Sequence, residues 1–291
     1  MTSLSTVDLE FSLKDGLDRH LTKSDGVTPA HLAESIRYSL LAPGKRIRPR
    51  LLLACGSMLG LKDAAVFPPA LAIEMIHCFT LIHDDLPCMD DDDFRRGRPS
   101  NHKKFGESTA LLAGDGLIPL AYEVFLEASA HVAPENLVRA LNRFSWAMGP
   151  RGVVGGQAAE GLLNEKSKLE DLITMHGQKT GALFMASLLI PKDLAGIADD
   201  SSQGLAIEVF ARELGFAFQV VDDLDDATEE KPEPSSILHY LSPENARSST
   251  LRRLDAATNT LNSAWGNAAS GVNQIAFEVM KKLETDQNGT K

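Results

Sequence analysis

Six aspartates fall between Asp84 and Asp93 in the run HDDLPCMDDDDFRRGR, and Arg95, Arg96 and Arg98 follow at once. A second acidic group, with Asp222, Asp223 and Asp226, closes the stretch FQVVDDLDD. Two carboxylates ~4 Å apart repel by about 1 kcal/mol in bulk water and by about 4 kcal/mol at the effective dielectric near a protein surface. Each run ends an apolar stretch with helical character, where the negative pole of the helix dipole adds to the cost. On a helix, Asp222 and Asp226 share a face. Asp84 and Asp90 would not, but Pro87 lacks a backbone donor and disfavours a helical Leu86. A break at Pro87 and Cys88 would bring Asp90 back toward Asp84. Solvated helix ends would explain one such run; two, each ending an apolar helix, point to a hard divalent cation. Mg²⁺ takes oxygen ligands and is bound by a few carboxylates plus substrate phosphates. Neither run has the loop spacing of a calcium-binding EF-hand.

Such a site also needs cations for the remaining phosphate oxygens. APGKRIRPR supplies Lys45, Arg46, Arg48 and Arg50, and FRRGRPSNHKKFG supplies Arg95, Arg96, Arg98, Lys103 and Lys104. HGQKTGA sets Lys179 and Thr180 in an otherwise apolar segment, near Met175, Leu183 and Phe184. Arginine grips phosphate bidentately, and lysine acts as a point charge. Each island alone also reads as a solvated basic turn. His77, His83 and His176, on apolar segments, read from the residues alone as core histidines.

The elements that must position these groups are helical. No strand alternation is evident. TPAHLAESIRYSLL offers Thr28 as cap and Pro29 as first helical residue. PPALAIEMIHCFTLIHDD starts at Pro68 and is apolar almost all round, as a central buried helix would be. Further helices are expected over about 107–130, from Pro134, over 170–190 and 204–226, and from Ser242 as cap with Pro243 after it. The expectation is one all-α domain over 1–291. Residues 1–25 and 286–291 are expected to be poorly ordered. The segment TEEKPEPSS, 228–236, is the most loop-like interior stretch.

Hydrophobic residues make up 43 % of the 291 and charged residues 24 %, as in a globular protein, and the net charge of −11 argues against nucleic acid as a partner. Cys55, Cys78 and Cys88 lack metal-ligand spacing and read as reduced thiols of a cytoplasmic protein. The acidic first thirty residues do not read as a secretory leader. The apolar run ALFMASLLI is too short to cross a bilayer, so no stable membrane insertion is expected.

Together, GKRIRP, EMIHCFTLIHDDLPCMDDDDFRRGRPSNHKKFGE, LLAGDGL, GGQ, HGQKTGAL and FQVVDDLDD resemble, in order, the motifs of the trans-isoprenyl diphosphate synthases, the farnesyl and geranylgeranyl diphosphate synthase family. The resemblance runs over about 42–247. It implies an all-α helical bundle with a central substrate cavity, usually homodimeric, that joins isopentenyl diphosphate to an allylic diphosphate with Mg²⁺. By resemblance, Asp84, Asp90 and Asp222 would bind Mg²⁺, supported by Asp85, Asp223 and Asp226. Arg95 and Lys179 would hold the allylic diphosphate. Lys45, Arg48, His77 and Arg96 would bind isopentenyl diphosphate without metal, and Thr180 and Gln219 would line the reacting centre. In the family, bulk just before the first aspartate motif limits the product. Phe79 therefore favours farnesyl diphosphate, and the small Thr80 disfavours a stop at geranyl diphosphate. Geranylgeranyl diphosphate is the alternative product.

One departure stands out. The family usually carries a longer, lysine-bearing loop after the second motif. Here the chain runs straight from DDLDDATEEKPEPSS into ILHYLSPENAR, with Pro234 where a lysine is expected and Lys231 as its nearest substitute. A catalytically weak partner subunit of another synthase is therefore a second reading. A terpene cyclase ranks lower, since it has no use for Lys45, Arg48 and His77.

Overall fold

The computed structural model describes residues 6–22, 28–227 and 231–285. Two compact units are present: Met1–Leu53 with Lys62–His131, and Ala54–Leu61 with Val132–Lys291. The single domain expected from sequence thus stands beside a division into two, and each is described by itself.

The first unit contains α1 (Thr6–Thr22), α2 (Ala30–Leu40), the start of α3 (Ile47–Met58), α4 (Asp63–Asp84), α5 (Asn101–Phe105) and α6 (Glu107–Leu126). Between α4 and α5 lies a short antiparallel ladder, β1 (Phe94–Arg95) with β2 (Arg98–Pro99). α4 is the hub, packed along α6. Ala70, Leu71, Ala72, Ile73, Met75 and Ile76 are all buried, which bears out a central apolar helix. It starts at Asp63 rather than Pro68; Asp63 sits in the first turn, where the helix dipole favours an acid, and both prolines lie inside. By length and composition α4 and the stretch 107–130 would each pass as membrane spans, yet 83 % of the α4 window is covered by protein.

Within the first 25 residues the described stretch forms α1. Residues 6–22 are helical, Leu13 is fully buried, and Arg37 Nε donates to Asp18 Oδ1 at 3.0 Å. Residues 1–5, 23–27 and 286–291 lie outside the described residues. α2 opens at Ala30 with Pro29 as its cap, one residue later than read.

The connection from α2 to α3 is held by a buried ion. Arg46 has φ 48° and is 4 % exposed; its Nη1 lies 2.5 Å from Glu74 Oε1 on α4. Its Nη2 donates to the carbonyls of Leu40 at 3.0 Å and Ala42 at 2.6 Å. These are carbonyls at and just beyond the end of α2, and a cation suits that helix end.

The second unit holds α7 (Pro134–Met148), α8 (Val153–Glu160), α9 (Leu169–His176), α10 (Ala182–Leu194), α11 (Ser202–Asp225), α12 (Pro243–Trp265) and α13 (Ser270–Thr285). α10 lies between α7 and α11, and α12 covers α11. Pro134 and Pro243 occupy first helical positions, and Ser242 Oγ accepts from Asn245 N at 3.3 Å, as the sequence implied. A π-turn, Gly177–Gly181, joins α9 to α10. Beyond the apolar run of α10, Lys192 and Asp193 are fully buried. Arg143 Nε donates to Asp193 at 2.5 Å, Arg139 adds a contact at 3.3 Å, and Lys192 pairs with Asp199.

Removing one member of a buried ion pair strands the other charge, at a cost of about 3–5 kcal/mol. Glu74→Ala is therefore expected to lower the urea midpoint sharply. The double change Arg46→Met, Glu74→Leu is expected to recover most of the loss.

Candidate functional site

In the first unit the acidic run begins where α4 stops. Asp84 is the last helical residue and Asp85 the cap. The chain then folds back, and Asp90 N–H donates to Asp84 O at 2.9 Å. Met89 and Asp91 amides both donate to Leu86 O, at 2.9 and 3.2 Å. The break expected at Pro87 thus returns Asp90 to Asp84. Asp84 is partly exposed and Asp90 exposed, so both can offer oxygens to a solvated Mg²⁺.

Asp85 differs. It is 2 % exposed, and Arg95 Nε donates to its Oδ1 at 2.7 Å. Arg95 Nη2 also reaches Asp92 Oδ2 at 2.6 Å. Burial pushes the Asp85 carboxyl up from its ordinary range, and the hydrogen bond and charge of Arg95 oppose that rise. This fits a supporting acid rather than a direct ligand. Arg95 is held for the task by the β1–β2 ladder, whose two-residue turn places Arg96 at φ 53° and Gly97 at φ 72°. Positive φ at both central residues is the hairpin turn that matches strand twist. The Arg98 guanidinium covers the Tyr38 ring at 4.1 Å, and Tyr38 donates to Pro99 O at 2.8 Å.

His77 lies two turns before the motif on α4. Burial, and then the charges of Arg48, Arg96, Arg46 and Arg95, hold its imidazole well below the usual 6.5. It is neutral in a strongly positive neighbourhood. Lys45 is exposed before α3, and Arg48 lies in the first turn of α3, beside Pro49. The Arg96 guanidinium packs against Gly44, where a Cβ would come within 2.9 Å of Nη1.

Phe79 and Thr80 are buried. Thr80 Oγ1 donates to His77 O at 2.8 Å, and the Phe79 ring meets His83 edge-on, centroids 5.6 Å apart. His83 is not a spectator. Its Nε2 is 3.0 Å from Leu111 O, and a Cβ on Gly114 would lie 2.1 Å from that nitrogen. The glycine of LLAGDGL is needed for this approach of α6 to α4.

In the second unit the π-turn displays Lys179 and Thr180. Lys179 Nζ pairs with Glu160 of α8. That approach depends on Gly156, where a Cβ would lie 2.2 Å from Lys179 N. Thr180 Oγ1 donates to Gln219 Oε1 at 2.6 Å, and Gln219 Nε2 donates to Asp223 Oδ1 at 2.8 Å. Asp223 Oδ2 accepts from Ile237 N at 2.7 Å. Asp222 is partly exposed, and Asp226 is exposed at the cap of α11, its amide donating to Asp222 O at 2.9 Å.

The shortened loop is tied down on the same elements. His176 donates from Nε2 to Ser235 O at 2.9 Å, and Tyr240 donates to Pro234 O at 3.2 Å. Lys231 reaches both Glu165 oxygens at 3.0 Å. Part of the stretch flagged as loop-like, 228–230, lies outside the described residues. Sequence reasoning missed Glu74, Asp92, Glu160 and Glu165 as partners. Acids adjacent to the known basic groups in space carried no mark in the chain.

The family model described as Polyprenyl synthetase matches residues 29–234. The large subunit 1 of a heterodimeric geranylgeranyl pyrophosphate synthase of Arabidopsis thaliana is 45 % identical over 211 residues, which span 70 % of this chain and 56 % of that protein. The chain thus matches little more than half the length of that plant relative. Farnesyl diphosphate synthase of Geobacillus stearothermophilus is 43 % identical over 217 residues, 74 % of this chain and 72 % of that one. The apo crystal structure of an FPP/GFPP synthase from Zymomonas mobilis superimposes with a TM-score of 0.80 at 32 % identity, covering 95 % of this chain and 100 % of the other.

Two outcomes follow from the geometry. Loss of a charge-assisted bond of about 1.5–3 kcal/mol in Asp223→Ala should speed amide exchange at Ile237 by roughly ten- to a hundredfold, read by hydrogen–deuterium exchange. Because the folded protein holds His77 neutral, the unfolded chain binds its proton first as pH falls below 6.5. The stability contribution of His77 is therefore complete above 6.5 and declines below it. An NMR titration should show no His77 inflection near 6.5, and His77→Gln should flatten that part of the stability profile.

Proposed function

Because the chain belongs to the polyprenyl synthetase family, we propose that it is a short-chain prenyltransferase joining isopentenyl diphosphate to dimethylallyl or geranyl diphosphate. The observation that carries this reading is the fold-back of Asp90 onto Asp84 at the end of α4, with Arg95 and Arg96 on the hairpin that follows. An oxygen-only, partly exposed acidic pair beside guanidinium groups suits Mg²⁺ and a diphosphate. Asp84 and Asp90 would hold Mg²⁺ directly, as would Asp222, with Asp85, Asp223 and Asp226 in support. When bound, Mg²⁺ supplies the positive charge that lets a diphosphate depart.

The side chains do the rest. Arg95 neutralises diphosphate oxygens while anchored on Asp85 and Asp92. Lys179 exchanges Glu160 for diphosphate oxygens. Lys45, Arg48 and Arg96 grip isopentenyl diphosphate, and the neutral His77 offers a hydrogen bond without further charge. The allylic C–O bond breaks with both electrons going to the leaving diphosphate. The isopentenyl double bond then attacks the allylic carbon, and the diphosphate takes up the released proton. Thr180 and Gln219, already bonded to each other, line the reacting centre and keep their polar atoms from the cation. No protein nucleophile is required, and the catalytic contribution is position and fixed charge.

Buried Phe79, braced by His83, favours farnesyl diphosphate as product. Geranylgeranyl diphosphate is the second reading, favoured by the name of the Arabidopsis relative. That name also describes a heterodimer, which together with the shortened loop keeps the partner-subunit reading. A homodimer in the cytoplasm completes the proposal.

With Mg²⁺, isopentenyl diphosphate and geranyl diphosphate, the purified protein should release farnesyl diphosphate. No product alone, with stimulation of a second synthase on mixing, would establish the subunit reading. Asp84→Ala should cut turnover by roughly 10²–10³-fold with the circular dichroism spectrum unchanged. Phe79→Ala should lengthen the product by at least one isoprene unit, read by chromatography.

A further inference from the structure

Beyond Asp90, the same segment brings three other groups together. A carboxylate oxygen of Asp91, one of Asp93 and a ring nitrogen of His102 lie within 4.8 Å of one another. Asp91 turns at φ 52°, and Asp93 O accepts from Ser100 N at 2.9 Å, which sets the start of the hairpin beside α5. Both acids are exposed, whereas His102 is only 6 % exposed. Its Nδ1 is 3.0 Å from Ser100 Oγ. Its Nε2 is buried without a hydrogen-bond partner. A buried imidazole nitrogen left without a partner calls for a ligand.

We propose that Asp91, Asp93 and His102 form a second cation site, for a divalent first-row transition metal of the Zn²⁺ or Mn²⁺ class. The donor set is one imidazole and two carboxylates, which favours such a metal over Mg²⁺. Ser100 Oγ engages one ring nitrogen, Nδ1, and the other is left without a protein partner. Bonds of roughly 2.0–2.2 Å place neighbouring donors about 3 Å apart. The exposed carboxylates reach that spacing by side-chain rotation, and water completes the shell. Lys103 Nζ now lies 2.6 Å from Asp93 Oδ1, and Asp93 holds the Lys103 ammonium above its ordinary range. Lys103 therefore competes with the metal. Occupancy would clamp the approach to β1 onto α5 and so brace the hairpin that carries Arg95 and Arg96. The site does not depend on the prenyl-transfer reading.

Cobalt(II), with its visible absorption, is the probe. It is titrated into the full chain carrying Asp84→Ala and Asp90→Ala, which removes the neighbouring acidic pair. The expected result is one cobalt ion per chain with the absorption of a nitrogen-ligated centre. His102→Gln and Asp93→Asn should each weaken it at least tenfold, and Lys103→Met should tighten it several-fold. Zn²⁺ should displace the cobalt. Should buried His102→Gln fail to fold, Asp93→Asn and Lys103→Met decide. Cobalt absorption that is absent, or indifferent to Asp93→Asn and Lys103→Met, overturns the proposal.

Discussion

Carboxylates concentrated at the ends of apolar helices must be neutralised, and the two units meet that constraint in different ways. At the end of α4 the most deeply buried acid, Asp85, is neutralised by a guanidinium. Arg95 comes back to it after the fold-back of 86–91 and is held in the β1–β2 ladder. Burial of Asp85 without that partner would carry the full desolvation cost of a charge. At the end of α11, Asp223 is satisfied by neutral donors instead, a Gln219 amide and the Ile237 backbone N–H. The cation is thus supplied by a hairpin in one unit, and the donors by a tied loop in the other.

That difference sorts the acids by use. Asp85 and Asp223 have both oxygens or their whole surface committed to the protein, so their value lies in orienting neighbours. Asp84, Asp90 and Asp222 retain solvent access, which a hydrated cation and an incoming phosphate require. The basic residues divide in the same manner. Arg46 is consumed by Glu74 and two carbonyls, whereas Lys45 stands exposed beside it. A neutral His77 adds no further positive charge to the field of four arginines and contributes a directional donor. Such a combination suits an anion bound without metal.

How much of this the chain disclosed depended on range. Helices with apolar stripes, and starts marked by Pro134 and by Ser242 with Pro243, were legible because their signals are local. So was the fold-back at Pro87, where a missing backbone donor falls at the charged end of an apolar helix. The β1–β2 ladder was not legible, because two-residue strands offer no alternation to read. The π-turn was equally hidden: HGQKTGA has the composition of an ordinary helix, and the extra residue shows only in the backbone. Among site residues, Asp84, Asp90, Lys179, Thr180 and Gln219 could be named from spacing and resemblance. Glu160 beside Lys179, Glu165 beside Lys231, and the brace of His83 on Gly114 arise from packing between distant segments. Lys192 and Asp193 escaped notice because buried ion pairs look like surface charge in a linear chain.

The shortened loop after the second acidic cluster bears on whether the chain is an enzyme or only a partner for one. A loop lost through disuse would be expected to hang from its ends. Here 231–241 is fastened at Ser235 by His176 and at Ile237 by Asp223, and Tyr240 closes it on Pro234. His176 directly precedes the π-turn that displays Lys179 and Thr180, and Asp223 directly follows Asp222. The Asp223 carboxylate also receives Gln219, which receives Thr180. One of the loop's anchors, Asp223, is therefore also the side chain that holds the proposed reacting residues Gln219 and Thr180 in place. A single network of this kind keeps its cost only while the residues at its far end matter. Within the proposed function, that favours the synthase over the partner-subunit reading, and Lys231, bound to an exposed Glu165 by a weak surface pair, is the described cation of that loop.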